Sequence, residues 1–459
     1  MIRNVLELSQ THGKAARIVL SALEYAIGRV DPALLVKHSV KYAKNTKSTI
    51  TIAGIKGEKI SLKDFENVYA VGAGKAAAKM ADCLSEILGS RLTLGAITVP
   101  YDDTTEIRKE FKSLVSVTRA AHPVPDRSGV QGAKRILEVV SKATSEDVIF
   151  VLISGGGSSL LPLPRPGLTL QDKQKITGLL LHSGAAIHEV NVVRKHLSAI
   201  KGGQLLRHVN NARVVALVLS DVIGDDMSSI ASGPTFPDSS TFADAQMILE
   251  KYSLANSSSS AVKYIGSGVN GRVHETLKPG DPIFARTHNV LIGNNEAACR
   301  AAGTYLHRRG IKTSYLGSRF AGEAAAFGKY LAKLALDLKA GVQEYDALIL
   351  GGETTVTIRR GKAGKGGRNQ EAALSCASSI PQGVIAACIG TDGIDGNSDA
   401  AGALVSNVVP ITARRQRESL RGHLACHNSY PLLKSAGSLI FTGRTGTNVN
   451  DIAIVYTPH

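Results

Sequence analysis

The sequence predicts an α/β fold of two domains with mostly parallel sheets, and three observations carry that prediction. Short aliphatic runs lead directly into glycine-rich junctions at five places, helical patterns separate those runs, and glycine, 46 residues in a chain of 459, clusters at the junctions. Strands that alternate with helices in this way form parallel sheets, and α/β proteins place their binding loops just past the strands. The length is about three times the soft prior of roughly 150 residues per domain, enough for two large domains or three ordinary ones.

Taken in chain order, residues 1–30 carry apolar side chains at helical spacing (Val5, Leu6, Ile18, Leu20, Leu23) and basic ones at Arg3, Lys14, Arg17 and Arg29. This reads as an amphipathic first helix of the fold in preference to a transit segment, so the expected compartment is the cytoplasm, with the mitochondrion as the alternative. Residues 67–71 (NVYAV) run into GAGK, and 147–153 (DVIFVLI) into SGGGSS. Further on, 213–219 (RVVALVL) precede SDVIGDD, 346–350 (DALIL) precede GGETT, and 384–389 (VIAACI) precede GTDGIDG. Helical patterns lie at 129–143, 170–182, 191–203, 294–309 and 321–340. Four consecutive serines at 257–260, a GSGVNG segment and Pro279 change the character of 251–290. That change predicts a hinge there, an amino-terminal domain over 1–250 and a carboxyl-terminal one over 291–459.

Composition narrows the function. Lys plus Arg number 54 against 38 Asp plus Glu, a formal charge of +16. The basic residues are scattered, however, Trp is absent and aromatics are 5% of the chain, which leaves few platforms for stacking bases. No nucleic-acid or membrane partner is expected, and an anionic small substrate accounts for the surplus. Apolar runs stop far short of the roughly eighteen residues of a membrane span. The cysteines (Cys83, Cys299, Cys376, Cys388, Cys426) lie far apart with no CxxC, as expected of reduced core thiols.

The junctions supply the candidate site. Gly72-Ala73-Gly74-Lys75 after a strand and before a helix presents backbone N–H groups to an anion, and Lys75 adds a full positive charge there. A dinucleotide site would want an acid about twenty residues on; Asp102 and Asp103 come some thirty residues along, which weakens a nicotinamide reading. Ser154, Gly155, Gly156, Gly157 and Ser158 form a run that suits an anion nest. In NVVRKHLSAIKGG a helix closed by Gly202 and Gly203 places Arg194 and Lys201 on one face with Lys195 beside them, while His196 reads as a packed or surface histidine. Asp221, Asp225 and Asp226 follow one strand and Asp392, Asp395 and Asp399 another, positions suited to a general base or to magnesium, with Asp221 and Asp392 the favoured pair; Asp392 and Asp395 also suit turns. Arg368 opens a helix in GGRNQE and suits a two-pronged phosphate contact. No GxxxxGK[ST] occurs, and no serine sits in a nucleophile elbow.

Read together, VGAGKAAAKMA, HPVPDRSG, LISGGGSSLLPLP, NVVRKHLSAIKGGQL, LSDVIGDDMSSIASGPT, GGETTVT, GGRNQE, GTDGIDGNSDAAGA and TGTNVNDI resemble the glycerate 2-kinase family, whose carboxyl-terminal part is the MOFRL domain. The resemblance runs over roughly residues 15–456. It implies a Rossmann-like amino-terminal domain and a MOFRL-type domain with its family region near 345–455, about a deep cleft. It also implies ATP with Mg2+ and transfer of the γ-phosphoryl to D-glycerate, giving 2-phosphoglycerate within serine degradation. Lys75 and Arg368 match the basic residues the family is held to need, with Asp221 as a third catalytic candidate. Gly74, the 154–158 run, Arg194, Lys195, Lys201, Glu353, Asn369 and Asp392 are expected at substrate or nucleotide, with Asp221 and Asp392 at the metal. A homodimer is compatible with this reading. Its competitors are an NAD(P)-dependent hydroxypyruvate reductase and a non-catalytic sensor of glycerate or nucleotide.

Overall fold

Uninterrupted aliphatic runs become strands buried on both faces, and they fix the framework. The computed structural model describes residues 1–42, 49–52, 59–255, 259–342, 344–358 and 364–458. Contacts divide the chain into a central unit, Pro32–Ile292, and a terminal unit made of Met1–Asp31 with Gly293–His459. This differs from the expected partition at 1–250, 251–290 and 291–459 in two ways. The first 31 residues belong with the carboxyl-terminal part, and the 251–290 segment belongs to the central unit.

The central unit opens with a small antiparallel sheet, β1 (Val40–Tyr42), β2 (Thr49–Ile52) and β3 (Lys59–Ser61), which the sequence reading did not foresee. Its main sheet holds β4 (Val68–Ala73), β5 (Leu92–Pro100), β6 (Val115–Ala120), β7 (Val148–Ile153), β8 (Arg213–Leu219) and β9 (Thr287–Gly293) in the order β6-β5-β4-β7-β8-β9. The pairs from β6 through β8 are parallel, with Val71 opposite Ala96 on one side and Val151 on the other. All six residues of β4 and of β7 are buried, as expected of strands covered by helices on both faces. The chain leaves β4 for one edge and returns at β7, so the strand order reverses between these neighbours, the point at which doubly wound sheets bind ligands. Helix Arg127–Val140 starts where Asp126 accepts a hydrogen bond from Gly129 N (3.0 Å), and Leu170–His182 starts at a Thr169/Asp172 capping box.

Two local expectations are corrected here. The helix expected over 191–203 ends at His196, and 197–203 form turns. Gln204 Nε2 takes up the carbonyls of Lys195, Ser198 and Lys201, and Gly203 adopts φ +78°, so the backbone has partners without continuing the helix. In 251–290, Ser259 caps helix Ser260–Val269, whose Ala261 and Ile265 share a core with Phe242, Leu249, Leu180 and Val190. Ser259 and Ser260, which looked like linker, are a helix start, while Ser257 and Ser258 lie outside the described residues.

The terminal unit has a second sheet: β10 (Thr313–Tyr315), β11 (Ala347–Gly352), β12 (Ile385–Gly390), β13 (Gly402–Val405), β14 (Leu439–Ile440) and β15 (Asp451–Tyr456), in the order β10-β11-β15-β12-β13-β14. Among the described strands of this sheet β10 and β11 pair in parallel, and β15 enters antiparallel between β11 and β12. The expectation of parallel sheets therefore holds for the first sheet, and the second is mixed. Helices Val5–His12 and Lys14–Arg29 join this unit: Arg3 N donates to Phe441 O (2.7 Å), and Val19, Leu20, Leu23 and Ile27 are buried. His12 is buried between Ser406 and Ser438, and burial lowers its pKa to about 4.

Candidate active site

In the central unit, the glycine junctions of β4 and β7 leave neighbouring strands at the reversal point and are bonded to each other. Ser154 is the knot: its Oγ accepts from Ala76 N (3.0 Å) and its N donates to Ala73 O (3.2 Å), while Lys75 N donates to Gly155 O (2.9 Å). Gly74 sits at φ +139°, and a Cβ there would collide with Ser154 Oγ, so only glycine permits this crossing. Gly155 is required for a different reason. Its Cα faces the Asp221 carboxylate so closely that any side chain would displace it. The Asp221 carboxylate and the glycine run are thus brought together through backbone approach. Gly156 faces both the His122 ring and the Lys75 side chain, and Gly157 faces Ala231. Ser158 Oγ is 2.7 Å from Ser232 Oγ. Burial, and next the charge of Lys75, hold the His122 imidazole below its ordinary pKa.

Of the three basic residues placed around one helix, two reach this site and one does not. Lys201 and Arg194 line a cavity of about 470 Å³ that also touches Gly156, Ser158 and His122. Lys195 instead pairs with Asp238 at 3.3 Å, both side chains being buried, so its charge is satisfied inside the unit. Lys173, overlooked in the sequence because nothing in LTLQDKQK marks it, lies in the same cavity wall. Its burial lowers its pKa to about 7, and Lys201 is driven well down by burial and by Lys173 and Arg194. His196 is packed against Phe242 and 2.9 Å from Glu275, as a structural histidine.

The terminal unit holds the other candidates around the start of β15. Arg368, first residue of helix Arg368–Ala377, closes a fork on Asp451 through Nε (2.7 Å) and Nη2 (3.0 Å) and reaches Glu353 through Nη1 (2.6 Å). The two-pronged contact expected for a bound phosphate is therefore made to a carboxylate of the chain itself. A guanidinium has five N–H donors, so two remain. Asn369 Nδ2 also donates to Asp451 (3.0 Å), and burial, against the pull of Arg368, raises Asp451 to about 7. Asp451 was missed although TGTNVNDI contains it, because its neighbours come from β11 and from the helix after Gly367. Asp395 accepts from Asn369 N and Gln370 N (3.1 and 2.9 Å) and so caps that helix across the fold, which differs from the local turn role that was its alternative. Asp392 accepts from Ile394 N (3.2 Å) within its own turn. Among the described residues no three His, Cys, Asp or Glu stand together as a metal centre.

Comparison with known proteins identifies the family. Residues 18–265 match a family model described as a domain of unknown function, DUF4147, and residues 346–451 match the MOFRL family. The glycerate 2-kinase of Pyrococcus horikoshii is 39% identical over 430 residues, 92% of this chain and 95% of that protein. A protein of Agrobacterium vitis named for hydroxypyruvate reductase is 39% identical over 391 residues, 84% of this chain and 86% of its own. The crystal structure of a glycerate kinase from Thermotoga maritima covers 96% of this chain with 99% of its own, at 36% identity and a TM-score of 0.83. The chain belongs to the glycerate 2-kinase family of phosphotransferase enzymes.

Proposed function

We propose that the protein transfers the γ-phosphoryl group of ATP to D-glycerate, giving 2-phosphoglycerate and ADP. The observation that carries this reading is the crossing of the two glycine junctions, which brings Lys75, the backbone of Gly155 and Gly156, and Asp221 together at the reversal point of a doubly wound sheet. Phosphoryl transfer asks for cations and N–H donors around spreading negative charge, and for a base or orienting group on the acceptor hydroxyl. Lys75 supplies the cation and the glycine run the donors. Asp221 takes the proton from the attacking 2-hydroxyl. Within the terminal unit, Arg368 is fixed by Asp451 and Glu353 and keeps two donors with which to bind an anion.

A magnesium ion that keeps its waters needs only one or two carboxylates besides the phosphates. Asp221 fits that requirement; Asp392, engaged in its own turn, fits it less well. Such an ion supplies neutralisation of the nucleotide's charge. The name of the Agrobacterium vitis relative keeps the hydroxypyruvate reductase reading in view. A coupled ADP-release assay with D-glycerate, followed by phosphorus NMR of the product, tests the proposal. ADP release with a 2-phosphoglycerate signal is the expected result, whereas nicotinamide oxidation with hydroxypyruvate, or binding without turnover, overturns it.

A further inference from the structure

The cavity of about 470 Å³ in the central unit combines two features that the transfer chemistry alone does not explain. Its cationic end is uncompensated. Lys173 and Lys201, only 6% and 2% exposed, give their ammonium hydrogens to main-chain carbonyls: Lys173 to Pro162 O (2.9 Å) and Leu163 O (3.4 Å), Lys201 to Ser158 O (2.8 Å) and Leu161 O (2.7 Å). An ammonium has three donors, so each keeps one. Arg194 stands close enough to push both lysines down in pKa, and among the described residues no Asp or Glu lines the cavity. Three desolvated cations without a counter-charge destabilise the fold unless an anion completes the set. The rest of the wall combines an aliphatic face of Val124, Pro125, Pro162, Leu170 and Leu181 with polar Ser159, Gln174 and Thr177, and among the described residues no Phe, Tyr or Trp lines it for an adenine ring to stack on.

We infer that this cavity is the subsite for the acceptor's carboxylate, with Lys173, Arg194 and Lys201 holding the anion and the aliphatic wall facing the acceptor's side chain. This rests on the kinase reading given above. The volume falls in the range of sites for ligands far larger than a three-carbon acid. The acceptor range therefore extends to 2-hydroxy acids with branched aliphatic side chains, bound with the carboxylate at the cations and the hydroxyl towards Gly156 and Lys75.

The test uses the full chain with Lys173→Met and Arg194→Met, D-glycerate, and 2-hydroxy-4-methylpentanoate as the probe of the apolar wall. Losing one charged hydrogen bond to a carboxylate raises the KM for glycerate roughly ten- to a hundredfold. The KM for ATP stays within about twofold, and the melting temperature of Lys173→Met is unchanged or higher because a desolvated charge has been removed. The branched acid is expected to act as an alternative acceptor or a competitor of glycerate, and to lose binding by calorimetry in both variants. An unchanged KM for glycerate, a rise in the KM for ATP instead, or a branched acid that neither reacts nor competes overturns the inference while leaving the kinase reading intact. If D-glycerate is not phosphorylated at all, that reading fails, and calorimetric binding of the branched acid, lost in Lys173→Met and Arg194→Met, still decides the cavity; no binding to the parent chain overturns the inference.

Discussion

The two candidate regions treat their basic residues in opposite ways. Around the glycine run, Lys173, Lys201 and Arg194 share a cavity wall without one carboxylate, whereas around β15 Arg368 is closed on Asp451 and Glu353. Desolvating a cation disfavours its charged form, and an acid beside it restores that form. Accordingly Lys173 falls to about 7, while Arg368 is raised above its ordinary value by Asp451 and Glu353 against the cost of burial. The first arrangement sets no acid of the cavity wall against its cations; the second fixes the guanidinium's geometry and leaves two of its donors over. Lys195 makes the contrast within a few residues, since it is adjacent to Arg194 in sequence yet paired with Asp238.

The largest expected effects are on catalysis at the junction crossing. Asp221→Asn should lower kcat by about 10²–10⁴-fold if Asp221 is the base. Excess magnesium should leave that loss unchanged, whereas partial rescue by magnesium makes Asp221 a metal ligand, and full activity makes it a turn residue. Lys75→Ala should lower kcat by about 10²–10³-fold with the melting temperature unaltered. Activity within a few-fold of the parent would remove Lys75 from the mechanism.

Next come the compensated cations, where the effect moves to stability. Lys195→Met strands the buried Asp238 and should cost about 3–5 kcal/mol in denaturant unfolding, whereas Asp451→Ala strands an Arg368 that is 32% exposed and should cost less. Lys173→Met, in the uncompensated set, should cost nothing. Equal losses for Lys195→Met and Lys173→Met would erase the distinction. Arg368→Lys should fail nearly as badly as Arg368→Ala in both stability and turnover, because an ammonium cannot close a fork on Asp451 and reach Glu353 together.

The smallest expected effect concerns pH and a region outside both sites. His12 has its folded pKa near 4 and an unfolded value near 6.5, so the unfolded chain binds a proton that the folded one refuses between those values. Its stabilising contribution is present above pH 6.5 and is lost as pH falls towards 4, amounting to on the order of 3 kcal/mol. In His12→Gln the slope of stability against pH across this window should flatten; an unchanged slope would show that His12 does not govern it.

The sequence by itself determined what depends on neighbours along the chain. Strands β4, β7, β8, β11 and β12, the helices at 170–182, 294–309 and 321–340, and the junctions at Gly74 and Ser154 were all legible. Residue patterns there answer to local rules: apolar runs become buried strands, a Thr169/Asp172 box starts a helix, and glycine marks close backbone approach. Asp221 was legible as a strand-end acid. The tertiary structure decided which charges meet. Lys173 and Lys201, 28 positions apart, share a cavity only because the chain turns after His196, and Asp451 meets Arg368 only because the last strand inserts between β11 and β12. Whether a cation is neutralised or left to receive an anion depends on the distance to an acid across the fold, and that distance is set by strand order and helix ends, which sequence spacing does not encode.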